Sequence, residues 1–341
     1  MIHVYKTGVH AHRTPLSYPA LAPVFEGDIQ LVDHPKAADL YVFAHILDIQ
    51  NAGREIVEDW RRRQVPIVLL SEEPFWDTIW GKHPLAHILY VETAYGVLPA
   101  YQLSHQTSDI FRFDHIPYYL LTNPRFAQAY AARFARNARL DVDAWRSAFA
   151  CRAKHISFMF ERRPEPHHWV TWPEANLIGL CSWRTELAEA CTGPGVERLG
   201  HTWDGSKPRQ ALHDWYHDKL TKLDAHARYI GAHENTHQPN YITEKLFDAF
   251  ACGAVPLYYA APDHRVHELD LPPDSWINSY GHTPPEAAAT ITRHNITPQI
   301  CTAYVTAQQA LARRFSAPAL FDHERARLRT ALVAAFERIL A

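Results

Sequence analysis

Short runs of β-branched and aromatic residues alternate with amphipathic stretches along the whole chain, and this alternation constrains the fold more than any other feature. IHVYK (2–6), DIQLVD (28–33), DLYVFAHI (39–46) and PIVLLSEE (66–73) come first; HISFMFE (155–161), VERLGHT (196–202), ARYIGAHE (227–234) and VPLYYAA (255–261) follow. Strands separated by helical segments imply parallel sheets with helical crossovers, an α/β fold. With 341 residues the chain exceeds what one core organises, so two domains of about 150 residues each are expected. The helical stretch Arg125–Lys154 reads as a linker, which puts the boundary near residue 150: an amino-terminal domain at 1–150 and a second at 151–316. After Pro284 the pattern is helical to the end, and the last segment, 317–341, is expected to pack back on the first domain.

Charge and apolar run length exclude several function classes. Thirty-four Lys and Arg against 37 Asp and Glu leave a formal charge of -3, without the basic footprint of a nucleic-acid-binding domain. No apolar run approaches the roughly 20 residues of a membrane-spanning helix, so no transmembrane segment is expected. The start of the chain lacks an apolar core followed by a small-residue cleavage site and reads as a first strand. A cytoplasmic location follows as the expectation, with peripheral association at the inner membrane through the mixed-charge terminal helix as the variant of it. Cys151, Cys181, Cys191, Cys252 and Cys301 are odd in number and form no CxxC pair, as expected of reduced thiols.

One segment concentrates the chemistry. ARYIGAHENTHQPNYITEKLFDAFACGAVPLYYAAP (227–262) reads as strand, polar loop, helix and strand, with Gly253 at the helix stop and Pro256 beyond it. In open α/β sheets ligands sit beyond the carboxyl ends of strands. Glu234, Asn235, Tyr241, Glu244 and Lys245 fall at such a place, with a carboxylate for ribose hydroxyls and a cation for a pyrophosphate. The same residues also suit an ordinary surface loop with a capped helix and a solvated Glu-Lys pair.

The residues HEN, then YITEKLFDAFACGAVPLYY, resemble the donor-binding signature of the α-1,3-fucosyltransferases, glycosyltransferase family 10, in its bacterial type. That signature runs FENS, a short spacer, YVTEKL, a helix and an AGxVPV-type strand. The likeness covers about 35 residues and continues more weakly through Pro272–Asn278. It implies the GT-B fold, two Rossmann-like domains facing across a cleft, and an inverting transfer of L-fucose from GDP-fucose to a glycan hydroxyl. The linkage implied is α-1,3 or α-1,4 to GlcNAc or glucose, and lipopolysaccharide decoration is one setting.

Carried over residue by residue, the resemblance assigns Lys245 to the pyrophosphate, Glu244 to the ribose, and Glu234, Asn235 and Tyr241 to the donor pocket. The family also uses an Arg at a helix start, for which CSWRTELAEA offers Arg184. Here an additional segment with Trp169, Trp172 and Pro173 separates ISFMFERRP from that helix, so Arg162 and Arg163 are alternatives. The base implied by the family's ESP-type sequence falls on Glu72 in PIVLLSEEPFWD, with Glu73 beside it; the bare position is equally that of a solvated turn. SDIFRFDHIPYYL (108–120) resembles the family's segment before the interdomain helix. No metal ligands are read from the sequence and no cofactor is required; Mn²⁺ or Mg²⁺ is at most stimulatory, since Asp141 and Asp143 fall inside the long helical stretch.

Three rivals are distinct in chemistry. A related enzyme would use another nucleotide sugar, because contacts to ribose and pyrophosphate do not read the hexose. A non-catalytic glycan-binding protein is compatible with 10 Trp and 16 Tyr. HDWYH (213–217) spaces two histidines as in a zinc hydrolase, but with Asp214 in place of the required Glu. Among 23 histidines, His233 is the one expected to act in the site.

Overall fold

A computed structural model describes residues 1–341. The chain divides into two compact units, 1–124 with 319–341, and 125–318.

The first unit carries a six-stranded sheet of β1 (Ile2–Lys6), β2 (Ile29–Leu31), β3 (Leu40–Phe43), β4 (Ile67–Leu70), β5 (Ile88–Thr93) and β6 (Gly96–Leu103), in the order β2-β1-β3-β4-β6-β5. All pairs are parallel except the β5–β6 hairpin at one edge. β3 (LYVF) and β4 (IVLL) are buried at every position, as central parallel strands covered on both faces must be. Between them run α1 (Ile46–Gln50) and α2 (Arg54–Arg63), the latter stopped by Gln64 in the left-handed conformation; α3 (Pro74–Trp80) follows β4 directly. Strands β5 and β6 lie outside the runs read as strands from sequence.

The first unit also contains the last helix of the chain, Pro318–Leu340. Fully buried Glu324 on that helix accepts the backbone N–H groups of Asp114 (2.7 Å), His115 and Ile116 (3.1 Å). Arg327 donates to the carbonyls of Asp109 and Ile110, both at 3.1 Å. A single carboxylate thus satisfies three consecutive donors of an irregular segment that no strand would pair.

The second unit starts with α4 (Pro124–Asn137) and α5 (Val142–Ala150). The sequence pattern puts these residues with the first domain, but their aromatic faces pack in the second: Tyr130 on Phe247 and Phe315, and Trp145 on Tyr304. The single long helix expected here is also two, because the Asp141 side chain accepts Ala144 N at 2.8 Å and caps a new start. Asp141 is therefore the cap of a helix, and only Asp143 lies inside one.

The sheet of this unit has β7 (Lys154–Met159), β10 (Val196–Leu199), β11 (Ala227–Gly231), β13 (Val255–Tyr258) and β14 (Ile277–Asn278), in the order β10-β7-β11-β13-β14 and all parallel. A separate antiparallel sheet joins β8 (Thr171–Trp172), β9 (Leu177–Gly179) and β12 (Thr236–His237). Helices α6 (Cys181–Ala190), α7 (His201–Asp204), α8 (Trp215–Leu223) and α9 (Glu244–Ala251) connect these strands; α10 (Pro284–Arg293) and α11 (Pro298–Phe315) follow. In α9 the fully buried Leu246, Phe247 and Phe250 each contribute about 2 kcal/mol of apolar burial. Gly253 ends it at φ +69°, where an added Cβ would also press on Trp145 at 3.2 Å.

Numbered among the parallel strands alone, so without β5, both sheets run 2-1-3-4-5 in chain order, the doubly wound arrangement. The order in which strands are added reverses between β1 and β3 in one sheet and between β7 and β11 in the other, so each unit has a crevice at the carboxyl ends of those strands.

Candidate active site

In the second unit the loop after β11 occupies such a crevice. Glu234, three residues past the strand, is buried and accepts Thr243 N at 2.7 Å and the Thr243 hydroxyl at 2.7 and 2.9 Å. Lys245 Nζ donates to Glu234 Oε2 at 2.8 Å and to Thr243 Oγ1 at 2.7 Å. Glu244, the first residue of α9, lies 3.6 Å from Lys245 and 3.9 Å from Lys219 of α8, which itself pairs with fully buried Asp248 at 2.6 Å. The Glu-Lys pair is therefore not solvated: three carboxylates and two ammonium groups share one interior network.

Charge balance decides the protonation of that network. Burial opposes ionisation of Glu244, but Lys245 and Lys219 outweigh it and hold its pKa at about 2. Burial also opposes the Lys245 charge, and Glu234 and Glu244 reverse the effect, so its pKa lies above the ordinary value. For Glu234 burial prevails and the pKa is raised. The result is a fixed cation held against a fixed anion at the start of a helix, a suitable counterpart for a diphosphate and for ribose hydroxyls.

Of the three arginines considered from sequence, Arg184 shares this site. It is buried in the first turn of α6, donates to the His233 carbonyl at 3.1 Å, and lies 4.9 Å over the Phe160 ring. Its charge acts on both Lys245 and His233. Arg162 instead pairs with Glu189 at 2.6 Å, largely exposed; Arg163 meets α6 through its backbone N–H on Thr185. His233 is buried, its pKa pushed down to about 3 by burial and by Arg184, so it stays neutral beside Trp183. Tyr241 is buried, and Asn235 is half-buried with its carbonyl accepting Leu180 N at 2.8 Å.

The additional segment between β7 and α6 serves this loop. Its strand β9 pairs with β12, which is part of the loop itself: Thr236 opposes Gly179, and His237 opposes Ile178. The buried His237 ring donates from Nδ1 to the Asn176 carbonyl at 2.8 Å and accepts Ala261 N on Nε2 at 3.0 Å. Both ring nitrogens are committed, one to the additional segment and one to the chain after β13.

In the first unit Glu72 follows β4 and is buried, while Glu73 is half-buried at the start of α3. The Tyr18 hydroxyl donates to Glu72 Oε1 and the Tyr118 hydroxyl to Oε2 at 2.6 Å; His105 Nε2 reaches the Glu72 carbonyl at 3.2 Å. Burial raises the Glu72 pKa to about 7, against the two phenol hydrogen bonds. A carboxylate near neutrality, held on both oxygens, has the protonation properties and the rigidity of a general base.

HDWYH forms no zinc motif. Asp214 caps α8 by accepting Tyr216 N and His217 N, both at 3.0 Å, so His213 lies before the helix and does not share its face with His217. No group of three His, Cys, Asp or Glu residues is disposed around a common point. Several partners were not read from sequence. Thr243 and Asp248 lie inside the quoted motif, but Lys219, Tyr18 and His105 come from segments without a local signal.

The model of the glycosyltransferase family 10 (fucosyltransferase) carboxyl-terminal domain matches residues 197–296. Over those residues the chain is similar to the carboxyl-terminal domain of the family 10 fucosyltransferases. The match takes in Glu234, Asn235, Tyr241, Glu244 and Lys245; Arg184 and Glu72 lie outside it. Among solved structures, an α1,3-fucosyltransferase is 15% identical with a TM-score of 0.42, over 90% of this chain and 80% of that one. An α1,3-fucosyltransferase with GDP-fucose is 13% identical with a TM-score of 0.43, over 85% and 77%. An α1,3-fucosyltransferase with GDP is 13% identical with a TM-score of 0.39, over 94% and 90%. Among curated proteins, no sequence matches the chain.

Proposed function

We propose that the protein transfers L-fucose from GDP-fucose to a hydroxyl of a glycan, with inversion at the anomeric carbon and α-1,3 or α-1,4 linkage to GlcNAc or glucose. The observation that carries this reading is the Glu234–Thr243–Lys245 network with Glu244, placed at the sheet crevice and inside the family 10 segment. Lys245 and Arg184 meet the pyrophosphate, Glu244 accepts ribose hydroxyls, and Asn235 and Tyr241 shape the pocket around them.

In the transfer, the acceptor oxygen attacks the fucose anomeric carbon as the bond from that carbon to the GDP oxygen breaks. The bonding pair leaves with GDP, where Lys245 and Arg184 offset the growing charge without reorganising. The hydroxyl proton passes to Glu72, which Tyr18 and Tyr118 keep oriented. The products are a fucosylated glycan, GDP and a protonated Glu72. The buried ion network supports donor binding without a metal; Mn²⁺ or Mg²⁺ adds at most screening of the departing diphosphate.

A donor panel tests the proposal: GDP-fucose, GDP-mannose and UDP-sugars, followed by nucleotide release with lactose or N-acetyllactosamine present. GDP release from GDP-fucose alone, lost together with GDP affinity in Lys245→Ala, is the expected result. Turnover of another sugar nucleotide in preference would reassign the donor, and glycan binding with every donor left intact would make the protein a lectin.

A further inference from the structure

The crevice of the first sheet holds a second built arrangement. His10, in the loop after β1, donates its backbone N–H to Asp48 Oδ2 at 3.0 Å and its ring Nδ1 to Asp48 Oδ1 at 2.9 Å. Asp48 can only accept, so in the neutral imidazole the proton is on Nδ1 and Nε2 is an acceptor. The Asp48 side chain is 2% exposed, whereas that of His10 is 30% exposed. Gly8 makes the arrangement possible: it sits at φ +103°, and a Cβ there would fall 2.3 Å from Asp48 Oδ2. His45, after β3, stacks on His10 with ring centres 4.5 Å apart and accepts Leu47 N at 3.1 Å. Burial pushes the His45 pKa down to about 4, so the stacked ring is neutral.

The same loop reaches the candidate base. Tyr18 donates to Glu72, and the charge of Arg13 acts on both Glu72 and His45. Arg13 is half-buried and forms no salt bridge with a carboxylate. The carboxyl ends of β1 and β4 thus lead into an imidazole acceptor, a guanidinium donor and a carboxylate. A sugar hydroxyl both donates and accepts, and a neighbouring pair of hydroxyls satisfies an imidazole nitrogen and a guanidinium together.

We propose that His10, oriented by Asp48, and Arg13 form a binding site for an uncharged saccharide, with one sugar hydroxyl donating to His10 Nε2 and another accepting from Arg13. In the fucosyl-transfer reading on which this rests, that saccharide is the acceptor, held beside Glu72. The role of Asp48 is to fix the ring, and His45 supports its face.

Two substitutions separate recognition from architecture. His10→Asn retains an amide at the Nδ1 position, and so the Asp48 bond, but has nothing at Nε2; His10→Gln does the reverse. Lactose and 3′-sialyllactose are the probes, by saturation-transfer NMR on the full chain and by initial rates with GDP-fucose. We expect His10→Asn to weaken lactose binding about tenfold, the worth of one buried hydrogen bond, and His10→Gln to recover part of it. In the rates the acceptor KM should rise far more than the donor KM. Three results would overturn the site: His10→Gln weaker than His10→Asn, a native protein that does not bind lactose, or 3′-sialyllactose bound better through Arg13. Lactose binding is measured without a donor, so a native protein that leaves GDP-fucose intact would remove the transfer reading while the saccharide site still stood or fell on its own data.

Discussion

Glu72 and Glu73 are adjacent and chemically alike, yet only one is held by two phenols at the end of a central strand. The pKa of about 7 at Glu72 sets the pH dependence: below it the carboxyl keeps its proton and cannot take another, so kcat should fall on the acid side of neutrality. Glu72→Gln should abolish transfer and leave GDP affinity within about twofold, because the donor network is built from other residues. The stability sign is the opposite of the activity sign. An unfolded glutamate releases its proton near 4.5 and the folded one near 7, so native stability is complete below the first value and falls as pH rises to the second. Glu72→Gln lacks that fall and should gain on the native protein at pH 8, by at most about 3 kcal/mol, in denaturant unfolding compared with pH 4. Unchanged turnover in the variant would move the base to Glu73 or elsewhere.

At the scale of elements, the strand-loop-helix-strand unit at 227–262 was legible because each piece carries its own signal: an apolar strand, a polar loop, a helix with one apolar face, and Gly253 as its stop. The sheet that braces the loop was not. β8 and β12 have two residues each, too short for any alternation; β12 exists because the loop after β11 finds backbone partners in β9, and β8 because it pairs with the other side of β9. The segment that contains Trp169, Trp172 and Pro173 thus braces the loop after β11. His237→Phe fills the ring volume but leaves Ala261 N and the Asn176 carbonyl unpaired. It should cost about 2–4 kcal/mol in thermal unfolding and weaken GDP binding about tenfold. A variant normal in both would show that the loop holds its shape without this ring. The split of the expected long helix has the same origin: the pattern from 125 to 154 is helical throughout, and only the cap at Asp141 interrupts it.

At the scale of the molecule, the order in which strands join their sheets and the return of the last helix to the first unit are long-range facts. Glu324 carries that return, since its carboxylate satisfies three backbone donors more than two hundred residues earlier. Glu324→Ala should destabilise the first unit by about 3 kcal/mol or more, seen as earlier unfolding of that unit in hydrogen exchange, with the second unit unaffected; equal protection in both would contradict the anchor. The amino-acid sequence alone determined the α/β class, the eight strand-like runs and the local chemistry of ENTHQPNYITEK, because period, turn residues and motif are properties of neighbouring positions. Tertiary structure decided which arginine joins Lys245, which glutamate is buried between tyrosines, and that residues 125–150 pack with the second unit. Burial and charge pairing at these places are set by groups brought together from distant parts of the chain, and no local pattern encodes them.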